Sequence, residues 1–189
     1  MKNFEIEFYE KGDNILLIFT GVGGTTKGFQ NKYETIAHNV MKTYGFSVMV
    51  ATTPSGSWLR LNGNNLQDIM NLIIEKKHNK NFDVYVMGSS AGANIILNYS
   101  YSFPQIKRVL AINPVLIMNL HKIHQGIKNF NGEKITVIFG ENDYSCKLLE
   151  VLPQSNILDT IILPKVDHTF KGQLETFIDL PDYYLFYDK

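Results

Sequence analysis

Apolar positions in this chain recur with two periods, and the two alternate from one end to the other. Residues 4–9 place Phe4, Ile6 and Phe8 against Glu5 and Glu7, the period of two of a half-exposed edge strand. "EKGDN" turns the chain, and "ILLIF" over 15–19 is a continuous apolar run suited to a buried strand. The two predict an opening antiparallel hairpin. Over 31–44 the period lengthens, with Tyr33, Ile36, Ala37, Val40 and Met41 on one side of a helix that Gly45 ends. A strand is predicted over 46–52, broken by Pro54 and Gly56. A helix follows over 64–77 with Leu66, Ile69, Met70, Ile73 and Ile74 in step.

The alternation continues with a strand over 84–87, a helix over 91–101 and a strand over 109–112. A weaker helix, "LIMNLHKIHQGI", follows Pro114. Strands over 134–139 and 157–163 then flank a short helix at 147–151, and a last helix covers 174–178. Strands that alternate with helices predict an α/β fold: a mostly parallel sheet of about seven strands, covered by helices on both faces. No repeat, low-complexity tract or linker interrupts the 189 residues, so a single domain over 1–189 is expected.

Composition narrows the function. The 18 Lys and Arg balance the 18 Asp and Glu, and the lysines are scattered, which gives no footprint for nucleic acid or an anionic membrane. The N-terminus lacks the apolar core of a signal peptide, and no segment approaches the ~18 apolar residues of a membrane span. Cys146 is the only cysteine, so no internal disulfide framework exists. A cytoplasmic protein is expected, and nothing fixes an oligomeric state.

The buried run "DVYVMGSSAGANIIL" (83–97) breaks at G-S-S-A-G and resumes as a helix. Only Ser90 has glycine two residues away on each side, Gly88 and Gly92. A strand that reverses sharply into a helix brings the flanking residues together, so only small ones fit there. The corner lifts the Ser90 hydroxyl off the sheet's carboxyl edge, at a helix N-terminus whose amides attract negative charge. Ser90 is the candidate nucleophile.

A serine needs a base, and the base an orienting acid. Of the five histidines, His38 and His78 lie on early helices and read as surface or packing residues. His121 and His124 form H-x-x-H with no third ligand nearby, so no metal site and no cofactor are expected. His168, in "PKVDHTF", follows a strand's carboxyl end, where such sheets gather functional loops. "VIFGENDYS" delivers Asp143 in the same way. Glu141 sits close to the strand end, and Asp167 adjoins the histidine, so Asp143 is the preferred acid.

The order Ser90, Asp143, His168, with G-S-S-A-G at a strand–helix corner, "FGENDYS" after the penultimate strand and "DHTF" after the last, resembles the α/β-hydrolase superfamily. It is most similar to small, lid-poor members of the dienelactone-hydrolase and acyl-esterase kind. The resemblance implies a serine hydrolase that cleaves a small carboxylic ester through a Ser-His-Asp triad and an acyl-enzyme. It also implies that "FTGVGG" (19–24) supplies one oxyanion-hole amide, from Val22 with Gly23 as the alternative, and Ala91 the other. Thr20 stands where the family usually has histidine. The same loop matches neither a dinucleotide fingerprint, since Thr26 occupies the third glycine position, nor a phosphate loop around Lys27.

The substrate side is sparse. Only the stretch around 114–133 corresponds to the cap of larger relatives, and its "VLIMNL" (115–120) either covers the site or packs on the body. Trp58 either lines an acyl or alcohol pocket or caps the sheet edge. Gly23, Trp58 and Val115 are the candidate substrate contacts, and a small-molecule acyl substrate is the expected partner. The same chemistry would serve an acyltransferase or thioesterase, and an inherited pocket would serve a non-catalytic binding protein.

Overall fold

The computed structural model describes residues 4–53, 64–78 and 81–187. Seven strands, β1 (Ile6–Tyr9), β2 (Ile15–Val22), β3 (Ser47–Thr53), β4 (Val84–Ser89), β5 (Ile106–Ile112), β6 (Lys134–Gly140) and β7 (Leu158–Leu163), form one sheet in the order β1-β3-β2-β4-β5-β6-β7. All neighbours run parallel except β1 with β3. The helices are α1 (Lys32–Tyr44), α2 (Asn64–Lys76), α3 (Ala91–Tyr99), α4 (Leu120–Asn129) and α5 (Leu174–Pro181). None of the described helices is long and apolar enough to cross a membrane.

The strand pleat sorts the core into two layers. On β2, Ile15, Leu17 and Phe19 face a cluster that includes residues of α2, α3 and α4. Leu16 and Ile18 face the other, with Tyr33, Ile36, Ala37 and Val40 of α1 and Phe177 and Leu180 of α5. Burial on both faces is why β2 reads as an unbroken apolar run rather than an alternating one. The C-terminal aromatic stretch packs on the body: Phe186 lies 4.3 Å from Tyr44, ring centre to ring centre, and Leu185 is buried.

The predicted opening hairpin does not form. β1 pairs with β3, from Ile6 opposite Ala51 to Tyr9 opposite Val48, because both edges of β2 are taken by β3 and β4. "EKGDN" is a strap around the amino end of β3. The buried Ser47 holds it, its Oγ accepting from the Lys11 amide at 2.9 Å and donating to the Gly12 carbonyl at 2.6 Å.

A second difference concerns the helix predicted directly after Pro114, which begins only at Leu120. The Asn94 side chain on α3 captures the preceding segment, its Oδ1 accepting from the Val115 amide at 2.7 Å and its Nδ2 donating to the Val115 carbonyl at 3.0 Å. Backbone groups held this way are unavailable to a helical ladder. Residues 144–151 form a 3₁₀ turn, longer than the short helix expected there.

α4 presses on α3 at Gly126, where an added methyl would lie 1.8 Å from the Leu97 carbonyl oxygen. Ala improves helix propensity over Gly by only about 1 kcal/mol. The overlap forces the helices apart, and overpacking reaches about 3 kcal/mol. The clash wins, so Gly126→Ala is expected to lower stability by about 2 kcal/mol, read as a lower urea midpoint at unchanged slope.

β3 lies on one side of β2 and β4 on the other. The chain therefore changes direction across the sheet at β2, and the carboxyl ends of β2 and β4 form the kind of switch point at which open sheets gather their functional loops.

Candidate active site

β4 ends at Ser89 and α3 starts at Ala91, so Ser90 alone makes the corner. Its backbone has φ 53° and ψ −119°, a conformation that costs an L-residue on the order of 1–3 kcal/mol. Its amide donates to the Ile112 carbonyl of β5 at 2.9 Å. The flanking glycines have a measurable cause. A methyl on Gly88 would meet the Gly92 backbone at 2.7 Å, and one on Gly92 the Phe19 carbonyl oxygen at 2.5 Å.

Three loops bring three side chains together. The Ser90 Oγ is 3.0 Å from Nε2 of His168, which stands on the loop after β7. Nδ1 of His168 bonds Oδ2 of Asp143, just beyond β6. An ionised carboxylate only accepts, so Nδ1 carries the proton and Nε2 is left to accept from the serine hydroxyl. Asp143 is 3% exposed, and its other oxygen accepts from the Ser145 amide at 2.6 Å, which fixes the plane of the carboxylate.

The hydrogen bond His168 donates to Asp143 raises the His168 pKa above its ordinary 6.5, helped by the negative charges of Asp143 and Asp167 and opposed by partial burial. The His168 side chain keeps 44% of its surface exposed, so this end of the array meets solvent. The two competing acids face elsewhere. Asp167 folds onto its own loop, accepting from the Thr169 amide at 2.8 Å and the Lys171 amide at 3.1 Å; these bonds hold its carboxyl below the usual range. Glu141 accepts from the Lys165 amide at 2.8 Å.

The carboxyl end of β2 lies against the elbow. A methyl on Gly21 would be 3.4 Å from the Ser90 Cβ, and the register of β2 on β3 shifts between Phe19 and Val22. Such irregularities re-aim a strand end. Thr20, wholly buried, anchors it: its carbonyl accepts from the Thr53 hydroxyl at 2.7 Å and its Oγ1 from the Thr53 amide at 3.2 Å. The Gly23 amide donates to the Thr53 carbonyl at 3.3 Å. Ala91 opens α3, so its amide is among those that no intrahelical carbonyl satisfies.

Val115 is half-buried and held by Asn94, Leu116 enters the core, and Ile117 is 67% exposed. Within the 115–120 stretch, Leu116 and Met118 thus pack on the body. Trp58 lies outside the described residues. His124 bonds the Val151 carbonyl through Nε2 at 2.6 Å, and among the described residues no three His, Cys, Asp or Glu are grouped to hold a metal.

Periodicity placed Tyr33 in the core stripe of α1 but was silent about its hydroxyl, which shares a 3.2 Å hydrogen bond with the Ser89 Oγ beside the nucleophile. Burial pushes its pKa up to about 12, so it stays a neutral phenol at physiological pH. Asn113 was missed as well. Its only signal is a polar residue, followed by proline, at the end of the apolar run "VLAI".

No protein-family model and no curated protein matches the chain. Solved structures do. Est1E from Butyrivibrio proteoclasticus is similar with TM-score 0.70 at 11% identity, over 93% of this chain and 89% of that one. An alpha-beta serine hydrolase homologue from Coxiella burnetii gives 0.70 at 15%, over 94% and 89%. XC6422 from Xanthomonas campestris, described as an a/b serine hydrolase without lid, gives 0.62 at 16%, over 95% and 86%. The chain has the α/β-hydrolase fold. At these identities the likeness is one of architecture. Within this α/β-hydrolase sheet, Ser90, Asp143 and His168 leave the carboxyl ends of β4, β6 and β7 and meet at one edge of the sheet.

Proposed function

We propose that this protein is a serine hydrolase that cleaves small carboxylic esters, working as one domain over 1–189 with a short covering segment around 114–133. The observation that carries the reading is the unbroken hydrogen-bonded chain from Ser90 through His168 to the buried Asp143. As the Ser90 Oγ attacks the ester carbonyl carbon, Nε2 of His168 takes the hydroxyl proton. The Asp143 carboxylate steadies the imidazolium that forms. The carbonyl oxygen gains negative charge and is held by the amides of Val22 and Ala91, where loss of one donor costs about 3 kcal/mol of barrier. The imidazolium then protonates the departing alcohol, which leaves an acyl group on Ser90. Water, deprotonated by the same histidine, releases the acid and restores the serine.

Exposure of His168 and the short 114–133 stretch favour an open, shallow site, a design that also fits the lidless Xanthomonas campestris neighbour. A deep acyl tunnel would gain roughly 0.8 kcal/mol per buried methylene, and affinity would climb steadily with chain length. The expected result is the opposite: across p-nitrophenyl esters from acetate to palmitate, below micelle concentrations, kcat/KM levels off or falls beyond acyl groups of about four carbons. A continuous rise to the long esters would mean that 115–120 and Trp58 build an acyl channel. The chemistry itself is tested by fluorophosphonate labelling, with mass spectrometry locating the adduct on the peptide that contains Ser90. An unlabelled folded protein would end the proposal.

A further inference from the structure

One stretch of backbone and side chain touches all three loops that carry the triad. The Ile112 carbonyl, last in β5, accepts from the Ser90 amide at 2.9 Å. The next residue, Asn113, is 1% exposed and has φ 46°, a left-handed conformation that asparagine tolerates better than most residues. Its amide donates to the Ile138 carbonyl of β6 at 2.8 Å. Its Oδ1 accepts from the Gly140 amide at 2.8 Å, at the root of the loop that holds Asp143. Its Nδ2 donates to the His168 carbonyl at 3.1 Å and the Asp167 carbonyl at 3.3 Å.

We propose that Asn113 is a positioning residue for catalysis, holding the base and its acid in register with the nucleophile; this rests on the hydrolase reading above. The acceptor end of its carboxamide points at the acid loop and the donor end at the base loop, so one rigid planar group sets the separation of the two. No apolar side chain can replace it, because the buried Gly140 amide and the two carbonyls would lose their partner. The Gly140 carbonyl in turn accepts from the Asp143 amide at 2.9 Å, so the hold on Gly140 passes directly to the acid. If the His168 backbone drifts, the 3.0 Å approach of Nε2 to Ser90 and the bond of Nδ1 to Asp143 are both lost. A displacement near 1 Å costs about 100-fold in rate.

Two variants test this with the full chain. Asn113→Gly keeps the left-handed backbone and removes the carboxamide. Asn113→Asp keeps shape and the acceptor for Gly140 while replacing the donor with oxygen facing two carbonyls. For p-nitrophenyl acetate, kcat is expected to fall about 10- to 100-fold in both, with KM changed by less than about threefold. The charges that bear on His168 are Asp143 and Asp167. Weakening the bond to Asp143 lowers the His168 pKa, so the acid limb of the Asn113→Gly rate profile moves to lower pH. Independently of turnover, the parent protein is expected to show a low-field proton resonance from the His168 Nδ1–H, which shifts upfield or broadens away in Asn113→Gly. Folded variants with the parent's kcat, acid limb and resonance, even at a lower melting temperature, would reduce Asn113 to a structural role and overturn the proposal. A parent that fluorophosphonate does not label would instead overturn the hydrolase reading, and the resonance would still report on positioning.

Discussion

Ser90→Ala is expected to abolish fluorophosphonate labelling and to lower kcat for ester hydrolysis by about 10⁵- to 10⁶-fold, the scale on which a triad loses its nucleophile. The fold should be untouched, since the Ser90 side chain's hydrogen bond is to the solvent-facing His168 and its amide still reaches the Ile112 carbonyl. Ser89→Ala is the matched control. It removes the hydrogen bond to Tyr33 but leaves the corner residue in place, so the adduct should still form on residue 90. Loss of labelling in the Ser89 variant with retention in the Ser90 variant would reverse the assignment of the two hydroxyls.

Asp143→Asn should cost about 10⁴-fold in kcat, and the geometry says why. The Ser145 amide donates to one oxygen of residue 143. In the variant that position holds the carboxamide oxygen, which turns the NH₂ group toward Nδ1 of His168. Nδ1 must then accept, its proton moves to Nε2, and Nε2 no longer accepts from Ser90. The pH dependence separates this from simple misfolding. Activity requires neutral His168, so in the parent the acid limb lies above the ordinary histidine value of 6.5, raised by Asp143. Without the carboxylate that pKa falls, and the residual activity should keep its plateau to lower pH. The check is kcat/KM against pH for the acetate ester in both proteins. An unmoved limb, or a loss under tenfold, would detach Asp143 from the base.

How much of this was legible in the residues follows from the range over which each signal acts. The two periods located the strands and helices, because burial of a face repeats every two residues or every three to four. The corner at Ser90 was legible because its steric demand falls on Gly88 and Gly92, both within two residues. β1 was misplaced for the opposite reason. Its partner depends on Ser47 gripping the strap from 36 residues away at Lys11, and nothing local to "EKGDN" distinguishes a strap from a hairpin turn. The late start of α4 likewise depends on Asn94, 21 residues before Val115. Asn113 and the Tyr33 hydroxyl act at chain separations of 55 and 56 residues, beyond any periodic pattern.

The crowding at the elbow also bears on what a lineage of such proteins would keep after its chemistry was lost. Gly88 and Gly92 are closed to any larger side chain by main-chain atoms of the sheet and helix themselves. A descendant that merely bound a ligand would inherit both, so the glycines testify to ancestry. Ser90 is different: its φ of 53° suits glycine, and a chain with no use for the hydroxyl would gain by drifting to it. A serine left at a position where the backbone resists it is the feature that idle inheritance would erase first.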